Sequence, residues 1–162
     1  MVIRLYPPGA AHISVNTPSI STLDNTAGKK VAMLYYYKTQ ANMVAAIGAT
    51  PVATDIVSAP NIFNYGVVDV LPAPLVAYEP LELHRGMGKN GGIVNYPLTQ
   101  LSMQLIGRLD RFPNEMAQLV REASFESYPA IIKRLKVEED RVPAHWWIDI
   151  PEKDQREYDV ML

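Results

Sequence analysis

The sequence predicts an α/β fold with a mixed, mostly parallel sheet flanked by helices, and two adjoining stretches carry that expectation. The first, AGKKVAMLYYYKTQANMVAAIGA, reads as a buried strand followed by a helix. The second, GATPVATDIVSAPNIFNYGVVDVLPAPL from Gly48 to Leu75, reads as a short strand, a helix or irregular turn, and a buried strand that ends in two prolines. Strands alternating with helices build parallel sheets, and open α/β sheets hold ligands beyond the carboxyl ends of their strands. That rule places a candidate pocket at Tyr35 to Thr39, Thr54 to Asp55 and Asp69 to Pro74.

Each element has its own local reason. Val2 to Tyr6 and His12 to Asn16 are apolar or β-branched and flank Pro7-Pro8-Gly9, a turn signal between two strands. Pro18 to Thr26 is a polar connection in which Ser21 and Asp24 are candidate caps of a short turn. Val31 to Tyr35 is almost continuously apolar, as in a strand covered on both faces. Met43, Val44 and Ile47 then repeat at helical spacing, with Thr39 the expected N-cap and Gly48 the residue just past the end. Pro51 to Thr54 returns to extended structure, Ser58 to Tyr65 reads as a helix opened by Pro60 and closed by Gly66, and Val67 to Leu71 is the next buried strand. Leu75 to His84 has helical character interrupted by Pro80.

Beyond the glycine loop, Gly92 to Tyr96 and Thr99 to Leu109 are extended, with apolar Met103, Leu105 and Ile106. Pro113, Asn114 and Glu115 open the longest helix, with Met116, Leu119, Val120, Ala123, Tyr128, Ile131, Ile132 and Leu135 as its expected buried stripe. Pro129 should kink or divide it. Val142 to Ile150 reads as a loop, and Pro151 opens a last helix that is still running at Leu162. Two parts follow: residues 1–110 as an α/β lobe, and residues 111–162 as a helical segment packed on it.

Composition narrows the functions. A chain of 162 residues with 48% hydrophobic and 20% charged residues can bury a core. The formal charge is −2, and lysines and arginines are interspersed with acids, which excludes a nucleic-acid-binding face. There is no cysteine, hence no disulfide framework and no thiolate site. No apolar run approaches the roughly 20 residues that cross a bilayer. The first residues show no charged-then-apolar leader.

Gly86, Gly88 and Gly91 match G-x-G-x-x-G, but a helical segment precedes the motif and a strand follows it. A dinucleotide site needs the reverse order, so the run reads as a helix-to-strand turn. His12, His84 and His145 are far apart and read as surface or half-buried side chains without metal-ligand spacing. No serine stands in a G-x-S-x-G elbow. Glu138, Glu139 and Asp140 read as a solvated charge run, and Trp146 and Trp147 as packing anchors.

Tyr35, Tyr36, Tyr37 and Lys38 are the strongest ligand candidates. Neighbours on a strand alternate faces, so three consecutive tyrosines cannot all enter one core. A ring at the strand's end either lines a cleft or caps the core as an exposed aromatic corner. Lys38 adds a cation beside the start of a helix, a setting that favours an anion. Asp55 and Pro72 fall on the same strand ends, and Asp69 reads equally as a ligand contact or a turn former.

The same residues resemble a known family. AGKKVAM, ATPVATD and NYGVVDVLPAPL are similar to the central and later portion of the periplasmic solute-binding proteins of tripartite ATP-independent (TRAP-type) transporters. Gly28, Lys30, Gly48, Ala49, Pro51, Gly66, Val68 and Asp69 fall on the family's G-x-K, G-A-x-P and G-x-V-D positions, and LDRFPNEMAQLVREA resembles its L-P-x-x-x-Q helix start, with Phe112 in place of leucine. The likeness spans roughly residues 20 to 135. It departs at Ala32, where carboxylate-binding members place arginine, at Val70 in place of glycine, and at Ala73 in place of asparagine.

The resemblance implies lobes of the type II periplasmic-binding-protein kind, with residues 1–110 as a solute-binding lobe with inter-lobe strands, and a periplasmic location. It also implies an additional N-terminal part before Val2, a small organic solute as ligand, and membrane transporter subunits as partners. No cofactor, metal or catalytic residue is implied, and the protein itself does not span the membrane. The competing reading is a small α/β enzyme that uses Asp69 or a tyrosine as acid–base.

Overall fold

The computed structural model describes residues 2–6, 9–108 and 110–161, without the side chains of 2–6, 157 and 159–161. The strands are β1 (Val2–Tyr6), β2 (Ala10–Val15), β3 (Lys30–Leu34), β4 (Thr50–Thr54), β5 (Val70–Pro74), β6 (Gly92–Val94), β7 (Thr99–Gln100), β8 (Met103–Ile106) and β9 (Trp147–Ile148). The helices are α1 (Leu23–Thr26), α2 (Lys38–Ala46), α3 (Ala59–Asn64), α4 (His84–Met87), α5 (Asn114–Glu139) and α6 (Glu152–Met161).

The main sheet runs β4-β3-β5-β2-β6-β9, with β7 also on β2. β3 is parallel to β4 and β5, and β6 is parallel to β9. β2 is antiparallel to β5, β6 and β7. One strand therefore runs against the rest, and the sheet is mixed but mostly parallel, as the sequence predicts. β1 and β8 form a separate antiparallel ribbon.

Strand alternation explains why helices lie on both faces. Val31, Val70 and Val15 enter one core with Val44 of α2 and Tyr158 of α6. Ala32 and Leu71, their neighbours on the strands, enter a second core with Phe63 of α3 and Met87 of α4. The β3-α2-β4 connection thus covers one face and β4-α3-β5 the other. Because β3 lies between β4 and β5, the sheet reverses its winding there, between β3 and β5.

Several local expectations shift. The strand expected at Val67 to Leu71 is β5, three residues later, and Pro72 and Pro74 lie inside it. α2 begins at Lys38 with Tyr37 before it, so Thr39 is in the first turn and caps nothing. Gly48, with φ +73°, follows its end as expected. Thr22, not Ser21 or Asp24, caps α1 by accepting the Asn25 N–H at 3.3 Å. Leu75 to His84 is a 3-10 turn at Leu75–Ala77 and further turns rather than a helix. The Pro7–Pro8 part of the expected first turn lies outside the described residues.

α5 runs unbroken through Pro129. Its buried residues are Ala117 and Ser124, while Met116, Leu119, Tyr128 and Ile132 of the expected stripe are exposed. The helix meets the body of the protein on a face rotated from the most apolar one. Glu138 and Glu139 are half-buried, not solvated, and Glu138 pairs with Arg134 and, at 2.9 Å, with Arg141. The segment past residue 110 is not wholly helical, since Trp147–Ile148 adds β9 to the sheet. Trp146 and Trp147 pack against the core that holds Phe63.

The G-x-G-x-x-G run joins α4 to β6. Gly88 is there for its positive φ of +63°, and Gly86 and Gly91 for space: a Cβ on Gly91 would lie 2.2 Å from the Val15 carbonyl oxygen and 2.4 Å from that of Met87. Backbone cannot yield as a side-chain tip can. Gly91→Ala is therefore expected at the upper end of the roughly 1–3 kcal/mol range for overpacking. Thermal unfolding should show a midpoint lower by roughly 6–12 °C. An unchanged midpoint would mean that β6 is not seated against β2 as described.

Candidate functional site

The site follows from how β3 and β5 part. β3 pairs with β4 over its whole length, from Lys30↔Thr50 to Leu34↔Thr54. With β5 it shares only Val31↔Val70. β5 nonetheless continues against β2 as far as Ala11↔Pro74. Proline has no N–H, so residues 72 and 74 remove two donors that a longer ladder would need. Past Val70 the β3 side of β5 is an edge, where proline is tolerated. The carboxyl halves of β3 and β5 are therefore not paired with each other, and this parting, at the reversal of the winding, is the crevice position where ligands of open α/β sheets sit.

Tyr35, Tyr36 and Tyr37 stand at one lip of that crevice. The Tyr35 N–H donates to the Thr54 carbonyl at 2.9 Å, and the Tyr37 N–H turns back to the Leu34 carbonyl at 2.9 Å. The Gln40 side chain accepts the Leu34 N–H at 3.3 Å and ties the start of α2 to the end of β3. In this tight turn the Tyr35 and Tyr36 rings pack edge to face with centroids 5.1 Å apart, and the Tyr36 and Tyr37 rings meet at a 60° tilt with centroids 4.8 Å apart. All three are half exposed or more. Lys38 opens α2, is exposed and has no ion-pair partner among the described residues. Ile56 (70% exposed) and Val57 (77% exposed), just past the end of β4, extend the apolar ledge.

The other predicted residues divide. Asp55 is on the same edge, but its carboxylate caps the turn into α3: it accepts the Val57 and Ser58 N–H groups at 2.8 Å each and the Ser58 hydroxyl at 2.9 Å. Asp69 is at the opposite edge. It precedes β5 and accepts the Asn16 side-chain amide at 3.0 Å and the Lys30 N–H at 2.9 Å, beside the start of β3. Five residues of strand, about 17 Å, separate that point from Tyr35. The single pocket expected to include both is corrected accordingly, because Asp69 belongs to the turn before its strand, not after it. Pro72 lies within β5, paired with Ile13 and half-buried.

His12 is the residue that sequence reasoning places wrongly. It is buried at 8% exposure on β2, opposite Ala73. Its Nδ1 lies 3.2 Å from the Val94 carbonyl oxygen, and its ring meets Trp147 edge-on at 5.5 Å. The alternation A-x-I-x-V along β2 was a legible signal: it puts Ala11, Ile13 and Val15 on one face and His12 and Ser14 on the other. Only the tertiary pairing shows that this second face is covered as well. Among the described residues, no three His, Asp or Glu side chains gather as a metal site.

Solved TRAP periplasmic solute-binding proteins share this fold. A TRAP periplasmic solute-binding protein from Desulfovibrio salexigens with bound orotic acid superposes with a TM-score of 0.83 at 16% identity, over 99% of this chain and 53% of that one. A Pseudomonas aeruginosa TRAP solute-binding protein with bound L-malate gives 0.81 at 11% identity, over 99% and 57%. The ectoine-binding protein of the TeaABC TRAP transporter of Halomonas elongata gives 0.81 at 16% identity, over 99% and 54%. At these identities the likeness defines the fold.

The sequence comparisons go further. The family model of Solute-binding protein AdeT 1/2 matches residues 1–162, and the chain belongs to that family. It is 36% identical over 154 residues to the probable solute-binding protein AdeT1 of Acinetobacter baumannii, covering 95% of this chain and 51% of AdeT1. It is 24% identical over 160 residues to AdeT2 of the same organism, covering 99% of this chain and 67% of AdeT2. The chain thus spans about half the length of AdeT1 and of the similar solved structures.

The Asp55 cap makes a pH-dependent prediction. Donation from the Ser58 N–H, then from its hydroxyl, holds the carboxyl below its usual 3.8. A folded value below the unfolded one stabilises the fold fully above the unfolded value, and the contribution is lost as pH falls through the folded one. Wild type should therefore lose stability below about pH 4 more steeply than Asp55→Asn. Urea unfolding between pH 5 and the acid limit (about 2.5) measures it. Superimposable acid profiles would show that the cap does not form.

Proposed function

We propose that this chain is the solute-capturing lobe of a periplasmic solute-binding protein, and that the carboxyl edge of its sheet forms one wall of the cleft. The bound species is a small organic solute, anions included, handed to the membrane subunits of a transporter. The observation that carries this reading is the aromatic ledge of Tyr35, Tyr36 and Tyr37 with Lys38, unpaired among the described residues, set beside the crevice where β3 and β5 part. Orotic acid and L-malate, bound by proteins of the same fold, are solutes of the expected size and charge.

The chain's share of its relatives' length supports an opposing lobe elsewhere in the full-length protein. Residues 1–110 would then hold the solute, with 111–162 bracing them. Exposed apolar side chains on β8 and α5, among them Met103, Ile106, Leu119 and Phe125, suit burial against that lobe. No described helix is long and apolar enough to cross a membrane.

The enzymatic reading has less support. Asp69 is held by Asn16 and Lys30 away from the ledge. We assign the chain no catalytic role, cofactor or metal.

The test is a thermal-shift screen of organic acids, amino acids and sugars on the full-length gene product, with affinities for any hit. A solute that binds N but not U raises the midpoint. Tyr36→Ala and Lys38→Ala are each expected to weaken binding by about 1–3 kcal/mol, the cost of leaving a polar partner unmatched. Unchanged affinity in both variants would put the site elsewhere. Conversion of a bound compound, seen by mass spectrometry, would overturn the binding-protein reading.

A further inference from the structure

We infer that His12 is a solute-contacting residue of this cleft, and that it accepts a hydrogen bond from a hydroxyl or N–H of the solute. The inference rests on the solute-binding reading above and adds to it the chemistry that one wall recognises.

The first ground is the state of the ring. A carbonyl oxygen only accepts, so the 3.2 Å contact to Val94 makes Nδ1 the donor. In the neutral imidazole that fixes the tautomer and leaves Nε2 as an acceptor. Nε2 has no hydrogen-bond partner among the described residues, yet it is not sealed from solvent. A ring that is 8% exposed, with one nitrogen satisfied and the other open, is a polar group held in place without an internal partner. Buried polar groups are ordinarily paired. Trp147 fixes the ring's orientation from the side.

The second ground is position. His12 pairs with Ala73, and the register Val31↔Val70 makes Ala73 level with Leu34, the last residue before the tyrosines. The His12 backbone is therefore two strand spacings, about 10 Å, from the end of β3. That distance suits a small organic molecule with one end on the ledge and the other on the ring. Alanine at position 73 adds little bulk between them.

The test compares solutes with and without a donor, on the full-length protein: L-malate, with one hydroxyl, against succinate, and orotate, with two ring N–H groups, against benzoate. The wild type should prefer the donor-bearing member of a bound pair by about tenfold or more, since a site built to hydrogen-bond a substrate group rejects the analogue lacking it. His12→Asn retains an N–H for the Val94 carbonyl and lacks Nε2, so it should fold and lose the preference. Independently of any variant, diethyl pyrocarbonate should modify Nε2 of His12 in free wild type, and a saturating donor-bearing solute should block that modification while exposed His84 and His145 stay reactive.

Equal preference in wild type and His12→Asn, or unprotected His12 under a bound solute, overturns the role of His12 and leaves the solute-binding reading standing. Failure of all four compounds and of the wider screen to bind removes that reading, and this inference with it.

Discussion

β2 holds the sheet together. On one side it pairs with β5 from Val15↔Val70 to Ala11↔Pro74, and on the other with β6 and β7. Among the described residues it is the only strand in the main sheet that joins the β4-β3-β5 half to the β6-β9 half. Because it runs against its neighbours, its amino-terminal residues lie at their carboxyl ends. His12 can then share an edge with Tyr35 and with the ends of β4 and β6. Val15, fully buried, anchors the strand in one core, while the Val15 carbonyl leaves no room for a side chain at Gly91. The glycine-rich turn and the candidate cleft are thus consequences of the same pairing.

The crevice depends on a second constraint, the failure of β3 and β5 to stay paired. Pro72 and Pro74 deny a continuous ladder, and β2 supplies β5 with the partner it lacks on the other side. A strand that keeps one neighbour and leaves the other can border a cleft without losing its place in the core. Leu71 is buried among Phe63 and Met87 while the residues that follow are only half-buried. Packing and opening are therefore divided along one strand.

Much of this was legible in the residues. The apolar run of β3, the Pro60 start and Gly66 stop of α3, and the Gly48 end of α2 announced themselves by pattern. So did the family resemblance, which the AdeT 1/2 match over the whole chain bears out. What was not legible depended on tertiary contacts. Val67 and Val68 look like strand, yet the chain there is still leaving α3, with both N–H groups on the Ile62 carbonyl. That moved Asp69 from the carboxyl to the amino edge. The α5 stripe held only in part, with Val120, Ile131 and Leu135 half-buried, because hydrophobicity marks which residues prefer burial, whereas the face that packs is set by where β1 and the turn after β5 approach. His12 failed because a lone histidine carries no local signal of a neighbouring strand.

The central claim is that solute is held at the carboxyl edge of this sheet, at the parting of β3 and β5. Hydrogen–deuterium exchange on the full-length protein, with and without a solute identified by binding, tests it most directly. The account predicts solute-dependent protection at 10–12, 35–38, 54–58 and 73–75, with little change at 28–30 and 67–69. Protection concentrated at 28–30 and 67–69, around Asp69, would contradict it.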